Sequence, residues 1–215
     1  PLLADSLVAR RLELGDTLRA ATLLAAGPAF HLNMGGRLSP HGAYALAANA
    51  TWSFQPAGRP RVGGTGTLIG SLDTLLFDQR LDQPWPATVS GRLFHPGRGG
   101  GFDLDADFAG VHPRAFVDSF PEGIWSGRVR ATGSPESYAV RGRFASRQSW
   151  WGPVDGTGSV NVTGGRWTFE RLDLAVPGSP MRAVAEGTLE PVGNGLVADL
   201  AASWTSLTWP TVPPP

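Results

Sequence analysis

The chain has no cysteine and no lysine among its 215 residues. Without cysteine it can form no disulfide bridge, no zinc site with thiolate ligands and no thiol nucleophile. Its 18 basic residues, all arginine, are balanced by 18 acidic residues. A chain of zero net charge lacks the electric field that attracts nucleic acid, so we expect no nucleic-acid partner.

Long apolar runs are also missing. No segment reaches the roughly 18 uncharged apolar residues that a membrane-spanning helix needs. The first residues, Pro1 to Asp5, lack the basic and apolar regions of a signal peptide. Because the chain starts within a patterned run and stops at Pro213-Pro214-Pro215, we interpret it as a fragment of a longer protein and expect any anchor or export signal to lie outside it.

What the chain does have is frequent glycine and proline, together with apolar residues at every second position. The 29 glycines and 19 prolines leave little room for helices of ordinary length. Alternation with a period of two is typical of β-strands with one apolar face. It is clearest over residues 44–54, 102–108, 138–144, 181–189 and 196–204. The sequence predicts an all-β fold.

The alternation changes phase between Phe169 and Leu172. An extra residue in one strand shifts the side chains that follow it to the opposite phase. We therefore predict a β-bulge near Glu170 and Arg171.

The sequence also matches itself at long range. Gly66 in a Gly-Thr-Gly-Thr-Leu run corresponds to Gly158, 92 positions later, and Gly91 corresponds to Gly187, 96 positions later. Stacked repeats form a sheet that extends along one direction. We predict the tail of a preceding repeat over 1–30, a first repeat over 31–122 and a second over 123–215, in one continuous, antiparallel-rich sheet.

The apolar positions of these strands are the candidate functional residues. They could pack against a second sheet, as in a sandwich, or line an open groove; their types alone do not choose between the two. The candidate groove-lining residues are Tyr44, Leu46, Trp52, Phe54, Phe102, Leu104, Phe108, Tyr138, Val140, Phe144, Met181, Leu189, Leu200 and Trp204.

The end of the second repeat resembles the strand that closes repeats in TamB-family proteins, which ends in Trp-x-x-Leu-x-Trp-Pro. Trp204, Leu207, Trp209 and Pro210 occupy these four places. The run 64–72 resembles the family's Gly-x-Gly-x-Leu-x-Gly-x-Leu segment, and the stretch 80–86 resembles the proline-ended strand after it. In the first copy, 108–113 has no second Trp and is one residue short.

The resemblance implies an AsmA-like protein of diderm bacteria, anchored in the inner membrane and crossing the periplasm. It implies an elongated, curled, taco-like sheet whose apolar groove carries phospholipid acyl chains between the two membranes. It also implies a link to outer-membrane protein assembly and secretion, with a TamA-type outer-membrane barrel as partner. No covalent chemistry is required of such a protein.

Candidate chemical motifs are weak. The four histidines lack the spacing of metal ligands. Asp103, Asp105 and Asp107 alternate as on a calcium loop, but the glycine and glutamate that would complete it are missing. The glycine-rich run 97–101 leads into a predicted strand, which favours a hairpin loop over a phosphate cradle. We predict no catalytic residues, no metal and no cofactor.

Other classes fit less well. The main alternative is a structural or adhesive β-solenoid such as an autotransporter passenger, although solenoid coils repeat at shorter periods than this chain does. A membrane barrel would need long apolar outer bands. A carbohydrate-active enzyme would need a convincing pair of carboxylates.

Overall fold

A computed structural model describes residues 6–13, 15–96, 99–116, 122–148, 152–192 and 195–206. These residues form an all-β antiparallel meander in which the strand order in the sheet follows the chain order. The described part contains no α-helix, only one turn of 3-10 helix over Pro113–Ala115. The predicted all-β, antiparallel fold is confirmed.

The chain divides into two compact units, Pro1–Ala106 and Asp107–Pro215. Within unit 1 each strand pairs with the next along the chain, and the boundary with unit 2 falls inside the eighth strand. The strands are β1 (Ser6–Glu13), β2 (Leu18–Gly27), β3 (Phe30–Leu38), β4 (Leu46–Phe54), β5 (Val62–Gly70), β6 (Thr74–Gln83), β7 (Ala87–Phe94) and β8 (Phe102–Val111).

Unit 2 begins with the second half of β8 and continues in the same way. Each later strand again pairs antiparallel with its neighbours in sequence. These strands are β9 (Ile124–Gly133), β10 (Ser137–Gln148), β11 (Gly152–Thr163), β12 (Arg166–Ala175), β13 (Arg182–Val192) and β14 (Gly195–Thr205).

Short turns join the strands. Gly164 and Gly165 form a two-residue connection between β11 and β12, with φ angles of 57° and 85°. Two successive positive φ angles define the hairpin turn whose twist matches that of the flanking strands, and glycine adopts them without steric cost. The turn therefore sets the register in which Thr163 lies opposite Arg166.

The predicted bulge lies where the sequence placed it. Phe169 pairs with Val160 and Arg171 pairs with Ser159, so Glu170 is the extra residue in β12. The register against β13 also shifts between Phe169 and Leu172. The bulge keeps both Phe169 and Leu172 on the same face of the sheet.

Neither unit has a closed core. Within each unit, the described strands contact their sequence neighbours, and no second layer of described strands covers the sheet. Among the described residues, the buried apolar side chains are small, namely Ala48, Ala50 and Val162. The sandwich arrangement is thus not seen in either unit, and neither unit closes or curls strongly, in contrast to the curled form that we expected.

Candidate functional site: the apolar face of the sheet

Cross-strand register places one set of alternating residues of unit 1 on a single face, which we call the apolar face of unit 1. On it Leu32 lies opposite Trp52, and Leu68 lies opposite Phe77. Its further members include Leu7, Phe30, Met34, Leu46, Phe54, Val62, Leu75, Leu81, Val89 and Leu93.

The apolar face of unit 2 is defined in the same way. Val140 lies opposite Val160, which in turn lies opposite Phe169. Its further members include Trp125, Val129, Tyr138, Phe144, Val162, Trp167, Leu172, Leu174, Leu189, Leu200 and Trp204.

Aromatic side chains on both apolar faces lie opposite glycines. In unit 1 Trp52 pairs with Gly64. In unit 2 Phe144 pairs with Gly156, and a Cβ atom added to Gly156 would collide with the Phe144 ring. The ring therefore covers the glycine backbone, as aromatic residues do across from strand glycines. The small residues between the aromatic ones do not leave empty space at these positions.

The face of unit 1 contains one polar side chain that the sequence argument did not identify. The indole Nε1 of Trp52 donates a hydrogen bond to Gln79 Oε1 at 2.9 Å. Gln79 Nε2 donates in turn to the carbonyl oxygen of Thr67 at 3.2 Å. Gln79 interrupts the apolar pattern of β6, and this interruption is the signal that could have identified it. The amide holds the Trp52 ring in one orientation.

The corresponding region of unit 2 is held by ring packing. Trp125 and Phe144 have their ring centroids 5.1 Å apart, with the planes tilted by 39°. Opposite Trp125, Ser146 is 3% exposed, and its hydroxyl has no hydrogen-bond partner among the described residues. The aromatic pair stabilises this part of the face through apolar contact.

The structure places twelve of the predicted groove-lining residues on strands and two just outside them. Leu104 faces Gly91 across β7 and β8, and Phe108 approaches Gly127. Tyr44 lies in the turn before β4, with a φ angle of 54°, and Met181 immediately precedes β13. In the TamB-like motif Trp204 lies on β14, whereas Leu207, Trp209 and Pro210 lie outside the described residues.

Several large side chains of the apolar faces remain accessible to water. The most exposed are Leu7 at 69% in unit 1 and Trp204 at 59% in unit 2. Others on these faces are Phe54, Trp167 and Leu200. Large hydrophobic residues also project from the opposite face of unit 1, where the exposed Ile69 and Leu76 lie opposite each other and Leu76 also lies opposite Arg92.

The opposite, polar face of unit 2 carries ion pairs. Arg128 binds the Asp107 carboxylate with two nitrogens, through Nε–Oδ1 and Nη2–Oδ2 distances of 2.8 Å and 2.7 Å. These hydrogen bonds lower the pKa of Asp107. Arg171 Nε lies 2.7 Å from Asp173 Oδ2, and this hydrogen bond lowers the pKa of the Asp173 carboxyl in the same way. Both pairs are exposed to solvent, so each contributes little to stability.

The bulge residue Glu170 points to the same polar face. Its carboxylate accepts hydrogen bonds from Ser159 Oγ and Asn161 Nδ2, both at 2.8 Å. These bonds lower the pKa of Glu170 because they favour its ionised form. The bulge thus places the Glu170 carboxylate on the polar face, beside Ser159 and Asn161.

Concave regions of the described surface occur on the polar faces. One in unit 1 has a volume of about 1160 Å³ and lies over Asn33, Asn49 and Thr65. One in unit 2 has a volume of about 680 Å³ and lies over Ala145 and Thr157. Arginine side chains and small residues line both regions.

The described residues contain no group of three or more potential metal ligands. Asp103, Asp105 and Asp107 lie on β8, where Asp107 is engaged by Arg128. The loop before β8 connects two strands, as predicted, although Gly97 and Arg98 lie outside the described residues. Among the described elements, no helix has the length and apolarity to cross a membrane.

These features define the chain as an antiparallel β-meander protein with an exposed apolar face in each of its two units. No protein-family model, no curated protein and no solved structure matches the chain.

Proposed function

We propose that the chain is a non-enzymatic segment of a TamB-like envelope protein and that its apolar faces hold phospholipid acyl chains during transport between membranes. The observation that carries the proposal is the apolar face itself. Within each unit no second layer of described strands covers this face, although it holds side chains as large as Trp204, which is 59% exposed. Contiguous exposed apolar surface of this kind marks an interaction site.

The physics of acyl-chain binding suits such a surface. Each methylene group removed from water contributes about 0.8 kcal/mol, so a chain segment of a few methylenes along the face is held reversibly. The headgroup stays in water. Because neither unit curls strongly, we propose that acyl chains lie along the aromatic and aliphatic side chains, and that a taco-like groove requires further curling of the sheet.

The biological setting comes from the TamB resemblance. In this proposal the protein is anchored in the inner membrane by a segment outside the chain and extends through the periplasm of a diderm bacterium. Its link to outer-membrane protein assembly runs through a TamA-type barrel that contacts other regions. The alternative is an adhesive β-solenoid. In β-helical solenoids the coils stack in parallel, whereas the described strands of this chain pair antiparallel, so the pairing does not support this alternative.

Site-specific photocrosslinking tests the proposal. A photoreactive residue is introduced at Leu200 and, separately, at Asp199, which are neighbours on β14, face opposite sides and are both exposed. The purified chain is irradiated with vesicles of phosphatidylethanolamine and phosphatidylglycerol, and adducts are identified by mass spectrometry. Phe144 and Arg143 form a second pair on β10.

We expect lipid adducts from Leu200 and Phe144 in clear excess over Asp199 and Arg143. Because Leu200 and Asp199 are both accessible, a difference between them reflects the face and not accessibility. Equal adducts from the two faces, or none from either, would refute the proposal. A fluorescent phospholipid exchange assay between donor and acceptor vesicles then measures transfer.

A further inference from the structure

The polar face of unit 1 contains a concave region bordered by three arginines, Arg11, Arg19 and Arg37, and one carboxylate, Glu13. Arg19 lies directly opposite both Glu13 and Arg37 in the strand register. Within the described part of the chain, none of the three guanidinium groups forms an ion pair. Like charges directly opposite each other on neighbouring strands repel, and a bound anion would relieve that repulsion.

The floor of this region adds neutral hydrogen-bond donors. They come from the amide and hydroxyl side chains of Thr22, Asn33, Asn49, Thr51, Thr65 and Thr67. None of these side chains hydrogen bonds to another described residue. Hydrogen-bond donors therefore outnumber the single charged acceptor, Glu13. An excess of donors suits the binding of an anion with several oxygen atoms.

Unit 2 provides an internal contrast. Its concave region has three arginines, Arg128, Arg143 and Arg182, but also three aspartates, Asp107, Asp155 and Asp173. Two of the aspartates already bind arginines. The same kind of surface is thus charge-balanced in unit 2 and has an excess of positive charge in unit 1.

We propose that the polar face of unit 1 binds a phosphate group, with Arg19 and Arg37 as the principal charged donors and Asn33 and Asn49 as neutral ones. Arginine presents two N–H groups in a geometry that matches phosphate oxygens. The phosphate belongs either to a lipid headgroup or to a free phosphate compound. This site is independent of acyl-chain binding, because it lies on the opposite face of the sheet.

The test is titration of the whole chain with inorganic phosphate, followed by NMR of the arginine Nε–Hε signals. Arg37→Gln removes one donor. Arg80→Gln is the matched control, because Arg80 projects from the polar face of the same unit, pairs with Asp82 at 3.3 Å and lies outside the concave region. Both variants change the net charge by one. Sodium chloride at equal ionic strength controls for screening.

We expect saturable shifts of the Arg19 and Arg37 signals, affinity about tenfold weaker in Arg37→Gln, and unchanged affinity in Arg80→Gln. Binding of vesicles that contain phosphatidic acid, with the same dependence on Arg37 and without a response to inorganic phosphate, would assign the phosphate to a lipid headgroup. Shifts that sodium chloride reproduces, equal losses in both variants, or no binding of either probe would overturn the proposal. Circular dichroism verifies that each variant is folded.

Discussion

Trp52 in unit 1 and Phe144 in unit 2 occupy comparable places, 92 positions apart in the sequence, and each lies opposite a glycine. Trp52 is held by a hydrogen bond to Gln79, whereas Phe144 packs against Trp125. Gln79 lies opposite Gly66, which corresponds to Gly158 in the repeat. Gly158 lies opposite Leu172, so Leu172 of unit 2 occupies the place of Gln79. The comparison shows that the same aromatic–glycine arrangement can be fixed by a polar contact or by an apolar one.

The largest expected change in stability comes from substituting the glycines that lie opposite Trp52 and Phe144, namely Gly64 and Gly156. A Cβ atom at Gly64 would collide with the backbone carbonyl of Arg80, whereas one at Gly156 would meet the Phe144 ring, which can rotate. We expect Gly64→Ala to lower the free energy of unfolding by about 3 kcal/mol and Gly156→Ala by about 1 kcal/mol. Hydrogen exchange of the amides of β5 and β11 measures the two losses of stability. A larger loss for Gly156→Ala than for Gly64→Ala would contradict this interpretation of the two glycines.

The next effect is loss of the ring itself. Phe144→Ala removes the contact with Trp125 and uncovers the backbone of Gly156, so we expect a loss of about 2 kcal/mol, less than for a fully buried ring. Arg143→Ala, on the opposite face of the same strand, should change stability by less than about 0.5 kcal/mol. Urea denaturation gives both values, and equal losses would show that the ring has no special role.

A smaller effect is expected from the polar contact in unit 1. Trp52→Phe leaves Gln79 Oε1 without its donor and should cost about 1 kcal/mol. Adding Gln79→Leu reproduces the residue pair of unit 2 and should recover part of that loss. A double-mutant cycle by urea denaturation measures the coupling. Additive losses would show that the Trp52–Gln79 hydrogen bond does not contribute to stability.

The smallest effect is the pH dependence of the polar face of unit 2. Asp107, Glu170 and Asp173 have lowered pKa values in the folded protein. Their contribution to stability is therefore present above the pKa of the unfolded chain, about 4, and is lost as the pH falls through the lower folded values.

Asp107→Asn should remove part of this dependence, and its stability should differ most from the parent chain near neutral pH and least at about pH 2. Urea midpoints at several pH values give the comparison. A variant that differed from the parent by the same amount at every pH would show that the Arg128 pair does not account for the shifted pKa.

Much of the local structure could be predicted from the sequence. The alternation over 102–108 and 196–204 identified strands β8 and β14, and the phase change after Phe169 located the bulge. The curl of the sheet could not be predicted in this way, because curvature depends on register and twist summed over many strands. The role of Gln79 also depended on register, since its partner Trp52 lies 27 residues away.

The repeat boundaries and the groove-lining role of residues such as Leu104 stay predictions. Gly91 and Gly187 are equivalent positions of the predicted repeat, and they share two features. Both have positive φ angles, 153° and 137°, and each faces a leucine on the next strand. This shared environment shows why glycine is needed at both positions, because a Cβ atom would meet the neighbouring backbone.

By itself the sequence determined the strands over which apolar residues alternate, the side of the sheet on which the residues of those runs stand, and the bulge near Glu170, because each follows from the two-residue period of a β-strand. Only the tertiary structure decided which residues meet across strands, that no second layer of described strands covers the apolar face within either unit, and that Arg11, Arg19 and Arg37 form no ion pair with another described residue. Those properties depend on contacts between residues far apart in the chain, and a local pattern carries no information about them.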